Sequence, residues 1–181
     1  MVLVRAMSLL LLAGCIKSRP PVMAPSSVDV AATVSLKTAD SAHGAAVPEG
    51  MTATLRDVLS VRRLNLRPVT APPDFSGRTS TPHRLTWLAA HNEASPLLLL
   101  IELSARRYDN LGGRYRWVVD VQLTLAPQSD PARAQTDRFT VPVHLSHAHE
   151  DATDAAQASL PTIRRRLARA VDGYLAGAGA P

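Results

Sequence analysis

The stretch YRWVVDVQLTL, residues 115–125, decides the fold. Tyr115, Trp117, Val119, Val121, Leu123 and Leu125 share one parity, and Arg116, Val118, Asp120, Gln122 and Thr124 the other. Period two marks a strand with one buried face. Upstream, Asp109-Asn110-Leu111-Gly112-Gly113 reads as a turn, because Asn and Gly supply the positive φ of a tight reversal. Before that turn, Leu97 to Ala105 is the most apolar strand candidate. Leucines on both parities at its start predict a central strand covered on both faces. Downstream, Pro127 to Thr136 is a polar loop, and Phe139, Val141, Val143 and Leu145 alternate again. Three successive strands therefore run antiparallel.

The flanking sequence supplies the rest. Val28, Val30, Ala32, Val34 and Leu36 alternate with more polar neighbours and predict a first strand, followed by a loop over residues 38–50. Met51, Leu55, Val58 and Leu59 recur at helical spacing and predict a helix from about 51 to 60. Leu64 to Arg67 reads as a strand stopped by Pro68, which suits an edge. Thr81-Pro82 resembles an N-cap followed by proline at the first helical position. That helix runs to about Glu93, with Leu85, Leu88 and Ala89 as its apolar stripe and Trp87 on a flank. A long helix from about Asp151 to Ala176 closes the chain, with a kink or a break expected at Pro161. The expectation is a single α/β domain with a mixed, mostly antiparallel five-stranded sheet, in the order β-α-β-α-β-β-β-α.

The chain has 181 residues and a formal net charge of +5. Only Lys17 and Lys37 among its 20 basic residues are lysine, and the arginines are scattered apart from Arg164-Arg165-Arg166 with Arg169. That pattern does not read as a nucleic-acid surface, so no nucleic acid is expected as a partner. Anionic lipid or an acidic protein surface is the better complement.

The single cysteine, Cys15, ends a short apolar run behind Arg5. The run is far below the ~20 residues that a membrane-crossing helix needs. Leu12-Ala13-Gly14-Cys15 resembles the lipobox of bacterial lipoproteins. The resemblance implies cleavage before Cys15 and lipidation of its thiol. Two or three acyl chains would make release negligible, at ~0.8 kcal/mol per buried CH₂. Residues 1–14 are then a signal peptide, 15–27 a lipidated tether, 28–176 a periplasmic domain and 177–181 a flexible tail. Ile16-Lys17, with no aspartate after the cysteine, favours the outer membrane by resemblance to enteric lipoproteins. A disulfide framework and a cysteine nucleophile are excluded in the processed chain, since its one cysteine is the anchor.

The element order behind that lipobox also resembles a group of periplasmic α/β domains. They occur in the curli-secretion lipoprotein, the lipoprotein activators of penicillin-binding proteins, and the N-terminal part of the Tol-system propeller protein. The resemblance implies a non-enzymatic domain that docks on a larger envelope assembly.

Candidate sites are few. His144, His147 and His149, followed by Glu150 and Asp151, have ligand-like composition, but strand parity turns His144 away from the core. Arg164, Arg165 and Arg169 beside the apolar stripe of the last helix are candidates for an acidic partner or lipid head groups. Tyr108 and Asn110 at the hairpin tip are candidates for a protein contact, whereas Tyr115 and Trp117 share the core parity. Glu102 and Asp120 occupy the outward parity of adjacent strands, either as a carboxylate pair or as partners of Arg106 or Arg116. No G-x-S-x-G, H-E-x-x-H or phosphate-binding glycine loop occurs. Neither an enzyme nor a cofactor is expected. The expected role is an adaptor or accessory factor of an envelope complex; a carrier or sensor of an apolar or anionic ligand and a hydrolase with a site assembled only in three dimensions are the alternatives.

Overall fold

The computed structural model describes residues 27–38, 41–72, 75, 79–111, 114–147 and 149–177. The expected signal segment 1–14, the lipidation candidate Cys15 and almost all of the tether lie outside the described residues, as do residues 178–181.

The elements are β1 (Val28–Thr38), β2 (Ser41–Ala45), α1 (Glu49–Ser60), β3 (Leu64–Pro68), α2 (Thr81–Ala90), β4 (Leu97–Leu111), β5 (Arg114–Pro127), β6 (Gln135–Leu145) and α3 (Ala152–Gly177). A short 3₁₀ turn at Pro131–Arg133 interrupts the loop before β6. The sheet order is β2–β1–β4–β5–β6, and β3 also pairs with β1. Since β4 occupies one side of β1 from Val30 to Thr38, β2 and β3 share the other side. The first half of β1 pairs with β3 in parallel and the end of β1 with β2 in antiparallel. The mixed α/β sheet expected from sequence is therefore present, five strands across, with a sixth strand in the outer column.

Several boundaries depart from expectation. Ser41 to Ala45 forms a strand inside the predicted loop 38–50. The sequence SAHGA has little intrinsic strand preference, and its pairing with Leu36 and Thr38 supplies what propensity does not. The hairpin is longer than expected: Asp109, Asn110 and Leu111 pair with Arg116, Tyr115 and Arg114 after a register shift at 107–109, so they belong to β4 and not to a turn. The N-cap of α2 is Ser80, with Thr81 and Pro82 in the first turn, and the helix stops at Ala90. The last helix is continuous through Pro161. Ser159, Leu160 and Ile163 are buried on both sides of it while Pro161 itself faces solvent, so packing holds the helix across the missing N–H.

Each helix covers a defined part of the sheet. The main core joins Met51, Leu55, Val58 and Leu59 of α1 and Leu160, Ile163, Leu167 and Val171 of α3 to one sheet face. That face carries Val30, Leu99, Ile101, Val119, Val121, Val141 and Val143. The smaller core lies on the opposite face, where Leu85, Leu88 and Ala89 of α2 meet Ala31, Leu98, Leu100 and Ala126. Trp87 beside them stacks on His91 at 4.3 Å and takes the edge of Phe75 at 4.7 Å. The both-parity leucines of β4 are explained by this second layer, but α2 covers only the start of the strand.

Polar contacts fix the ends. Asp151 caps α3 by accepting from the Thr153 and Asp154 amides at 2.7 and 3.2 Å, and the Asp154 carboxylate accepts from the Asp151 amide at 2.9 Å. Arg62 ties α1 to α3: its Nε and Nη2 donate to the two oxygens of Asp172 at 2.6 and 2.7 Å, Nη1 to the Val58 carbonyl and Nη2 also to that of Ala168. Arg63 follows in the left-handed region, at φ 58°. The outer strand β6 carries Pro142 opposite Val118. Proline is admitted there because an edge strand needs no ladder donor on its outer side.

Candidate functional site

The half of the second sheet face beyond α2 is open and polar. Its residues are set by register. Ser35, Glu102, Gln122 and Arg138 face one another across four strands, and Lys37, Ser104, Asp120 and Thr140 form the next row. All of these residues except the buried Ser35 line a groove of about 590 Å³, together with Leu103, Val121 and Phe139.

The rows are hydrogen-bonded into a fixed pattern. Glu102 is its centre. It forms an ion pair with Arg84, which α2 inserts from above; Arg84 is 1% exposed and Glu102 15%. Glu102 Oε2 also accepts from Thr81 Oγ1 at 2.9 Å and Gln122 Nε2 at 3.1 Å. Gln122 Oε1 accepts from Arg138 Nε at 2.8 Å. One row over, Asp120 accepts from Thr140 Oγ1 at 2.7 Å, and Arg106 lies 3.5 Å from its other oxygen. The outward carboxylates are therefore diagonal neighbours with separate cationic partners, which is the ordinary-pairing alternative for Glu102 and Asp120.

Charge and burial make this cell of the sheet unusual. Arg84, Arg106, Arg138 and Lys37 stand against two carboxylates, an excess of two positive charges. Burial lowers the pKa of Lys37, and the nearby Arg84 guanidinium lowers it further, while Glu102 acts in the opposite direction. Among the described residues, Thr33 Oγ1, Ser35 Oγ and the Nε and Nη2 of Arg84 are buried without a hydrogen-bond partner. Buried orphans of this kind are rare in native structures, and Arg116 Nε and Trp117 Nε1, outside this cell, are two more.

The other candidates occupy separate places. Tyr108 is 67% exposed, and the Arg116 guanidinium lies 5.2 Å from its ring centroid. Asn110 pairs with Tyr115 through the backbone, and its side chain lies outside what is described. Tyr115 and Trp117 are half-buried against the main core. The basic residues of α3 diverge. Arg164 lies 3.4 Å from Asp57 of α1, Arg165 donates to Thr162, Arg166 sits over the Phe139 ring, and Arg169 lines a small cavity with Tyr174. His144 is exposed on β6, and His147 and His149 stack with centroids 5.4 Å apart. Glu150 accepts from the His147 amide. Among the described residues no group of three or more His, Cys, Asp or Glu could hold a metal ion, and no helix is long and apolar enough to cross a membrane.

Sequence reading missed Arg84, Lys37, Gln122, Arg138 and Thr140 as members of one site. A signal existed for two of them. Arg84 stands four residues before Leu88 and so shares the buried stripe of α2. Gln122 and Asp120 are polar residues on the second face of a central strand, which is diagnostic of a face left without a full cover.

No family model and no curated protein matches the sequence. Solved structures share its outline. The lipoprotein GNA1162 from Neisseria meningitidis is 11% identical, with a TM-score of 0.47 over 83% of this chain and 99% of that one. The hypothetical protein CT253 from Chlamydia trachomatis is 13% identical, with a TM-score of 0.42 over 82% and 98%. The LpoB C-terminal domain from Salmonella enterica is 17% identical, with a TM-score of 0.39 over 64% and 82%. At TM-scores below 0.5 these likenesses carry no argument about function.

Proposed function

We propose that the chain is a lipid-anchored, non-catalytic binding module of the bacterial cell envelope. Cys15 is its anchor, residues 1–14 its signal peptide and 15–27 its tether. The domain over residues 28–176 stands on the periplasmic face of the outer membrane and docks on an envelope protein. One observation supports this reading above the others: α1 and α3 pack along one sheet face, whereas α2 leaves half of the second face open with its polar side chains already held in place. Preorganised side chains lose little freedom on binding, which is how a modest surface gains affinity. The Leu12-Ala13-Gly14-Cys15 motif supports the anchor.

Two measurements test the two halves of the reading. Cys15→Ser should leave the membrane pellet and lose the acyl mass found on the native chain; an unchanged pellet and mass would refute the anchor. A photo-crosslinking residue at Ser104 or Thr140 should give one discrete adduct in the envelope, while the same residue at Arg56 on α1 should give none. Equal labelling from both faces would refute the docking face.

A further inference from the structure

We propose that the sheet accepts one further strand from another protein: an extended, acidic segment that lies in line with the end of β1 and pairs with the free side of β4 from Arg106 onward. This surface is distinct from the open half of the second face and does not depend on docking there.

Strand lengths create the vacancy. β1 pairs with β4 from Val30 opposite Leu97 to Thr38 opposite Ala105, and there β1 stops. β4 continues to Leu111. Arg106 to Leu111 therefore have β5 on one side and no strand on the other, because β2, which follows β1, lies on the far side of β1. The free stretch is six residues long, about 20 Å at ~3.4 Å per residue. Among the described residues, no backbone hydrogen bond outside the β4–β5 ladder involves it. A strand side left in this state offers N–H and C=O groups to an extended chain.

The other borders of the sheet suit a guest strand less well. β6 lacks a donor at Pro142, β3 has five residues and ends in Pro68, and β2 has five. The gap beyond Thr38 is, by contrast, a bounded site. A cavity of about 490 Å³ adjoins it, lined by Thr38 and Ala105 where β1 stops, by Arg107 and Trp117, and by residues from His149 to Ala152 at the start of α3. Trp117 is the cross-strand partner of Arg107 and packs against the main core. Side chains alternate along a strand, so the one placed beside Arg107 would project over this cavity.

Charge selects the partner. Residues 106–118 carry Arg106, Arg107, Arg114 and Arg116 against Asp109 alone. Arg107 sits over the Tyr115 ring at 4.5 Å and Arg116 over the Tyr108 ring at 5.2 Å, and neither forms an ion pair among the described residues. Arg106 lies 3.5 Å from Asp120, both of them well exposed, a contact that contributes little. Glu150 and Asp151 across the cavity already accept from backbone amides. Opposite charges on paired strands stabilise and like charges destabilise. The basic stretch therefore disfavours the same strand of a second copy and favours an acidic one.

The test uses the full chain in a non-ionic detergent and a fluorescein-labelled heptapeptide in which glutamate and valine alternate, with its lysine-for-glutamate counterpart as control. Fluorescence anisotropy should show saturable binding of the acidic peptide and none of the basic one. Backbone hydrogen exchange from Arg106 to Leu111 should slow on binding, because strand pairing engages amides that are otherwise free. Arg106 and Arg107 are exposed, so reversing them leaves the core intact. The Arg106→Glu/Arg107→Glu variant should weaken the acidic peptide about tenfold or more and take up the basic one. Arg165→Glu, on α3 away from this border, should change neither. No binding up to about 1 mM peptide would overturn the proposal. So would binding that leaves exchange at Arg106 to Leu111 unchanged, which would mean attraction by charge without strand pairing.

Arg138→Gln separates the two surfaces. If it weakens the acidic peptide as much as the Arg106→Glu/Arg107→Glu change does, the peptide sits on the open face, and this inference falls while the docking reading stands. Slowed exchange from Arg106 to Leu111 with no crosslink from Ser104 or Thr140 would do the reverse.

Discussion

Removing the Arg84 side chain isolates the energetic centre of the open face. Arg84→Met keeps much of the aliphatic bulk of the residue and deletes its charge. Glu102, 15% exposed, then keeps the neutral donors Thr81 and Gln122 and the weaker field of Lys37, but loses its buried guanidinium. Breaking a buried ion pair from one side costs about 3–5 kcal/mol, because one charge stays desolvated without compensation. The partial exposure of Glu102 places the expected loss near the lower end, about 3 kcal/mol. With a urea m-value of roughly 2 kcal/mol/M, the midpoint falls by about 1.5 M. Glu102→Leu should cost a similar amount, since it leaves the guanidinium of Arg84 buried alone. The double variant Arg84→Met/Glu102→Leu should recover most of the loss, because apolar pairs replace buried ion pairs at little or no cost. Far-UV circular dichroism against urea on all four proteins gives the cycle. A coupling energy of at least about 2 kcal/mol is expected. Additive single losses, or an Arg84→Met loss under about 1 kcal/mol, would refute the description of this pair as a buried, mutually dependent unit.

Three further predictions concern the scaffold. The Arg62 guanidinium, by its hydrogen bonds and then by its charge, holds the Asp172 carboxyl below its usual range. A carboxyl lowered in the folded state contributes stability above its unfolded pKa and loses it as pH falls through the folded one. The urea midpoint should therefore drop on acidification below about pH 4, and Arg62→Ala should flatten part of that drop. Arg63→Gly should raise stability by about 0.5–1 kcal/mol, since the left-handed backbone of Arg63 strains a residue with a Cβ more than it strains glycine; a lowered thermal midpoint would count against this. Leu167→Ala, at a position with no solvent exposure beneath α3, should cost about 2–5 kcal/mol by thermal melt, and a loss under 1 kcal/mol would mean that the core is looser than described.

The alternation of β5 made the sheet legible because its side chains obey one rule along the whole strand. Phe139 to Leu145 and Val28 to Leu36 follow the same rule and were readable for the same reason. Ser41 to Ala45 was not, since small residues carry no pattern and the strand exists through its neighbour β1. Pro161 misled the reading of α3 because local sequence cannot report that the packed turns on either side lie against α1 and the sheet. The site was least legible. Arg84 and Glu102 are 18 positions apart, and their meeting depends on where α2 lands on the sheet. Lys37 and Arg138 are brought to one groove only by the strand order, which no single segment encodes.

Pro142 on the rim of the sheet bears on what happens when many copies are crowded together. A sheet grows, copy upon copy, when its last strand presents an unbroken row of donors and acceptors to an incoming chain. Here that row lacks a donor near its middle, and the charges of Asp137 and Arg138 stand close by. Growth of the sheet through this border is thereby disfavoured.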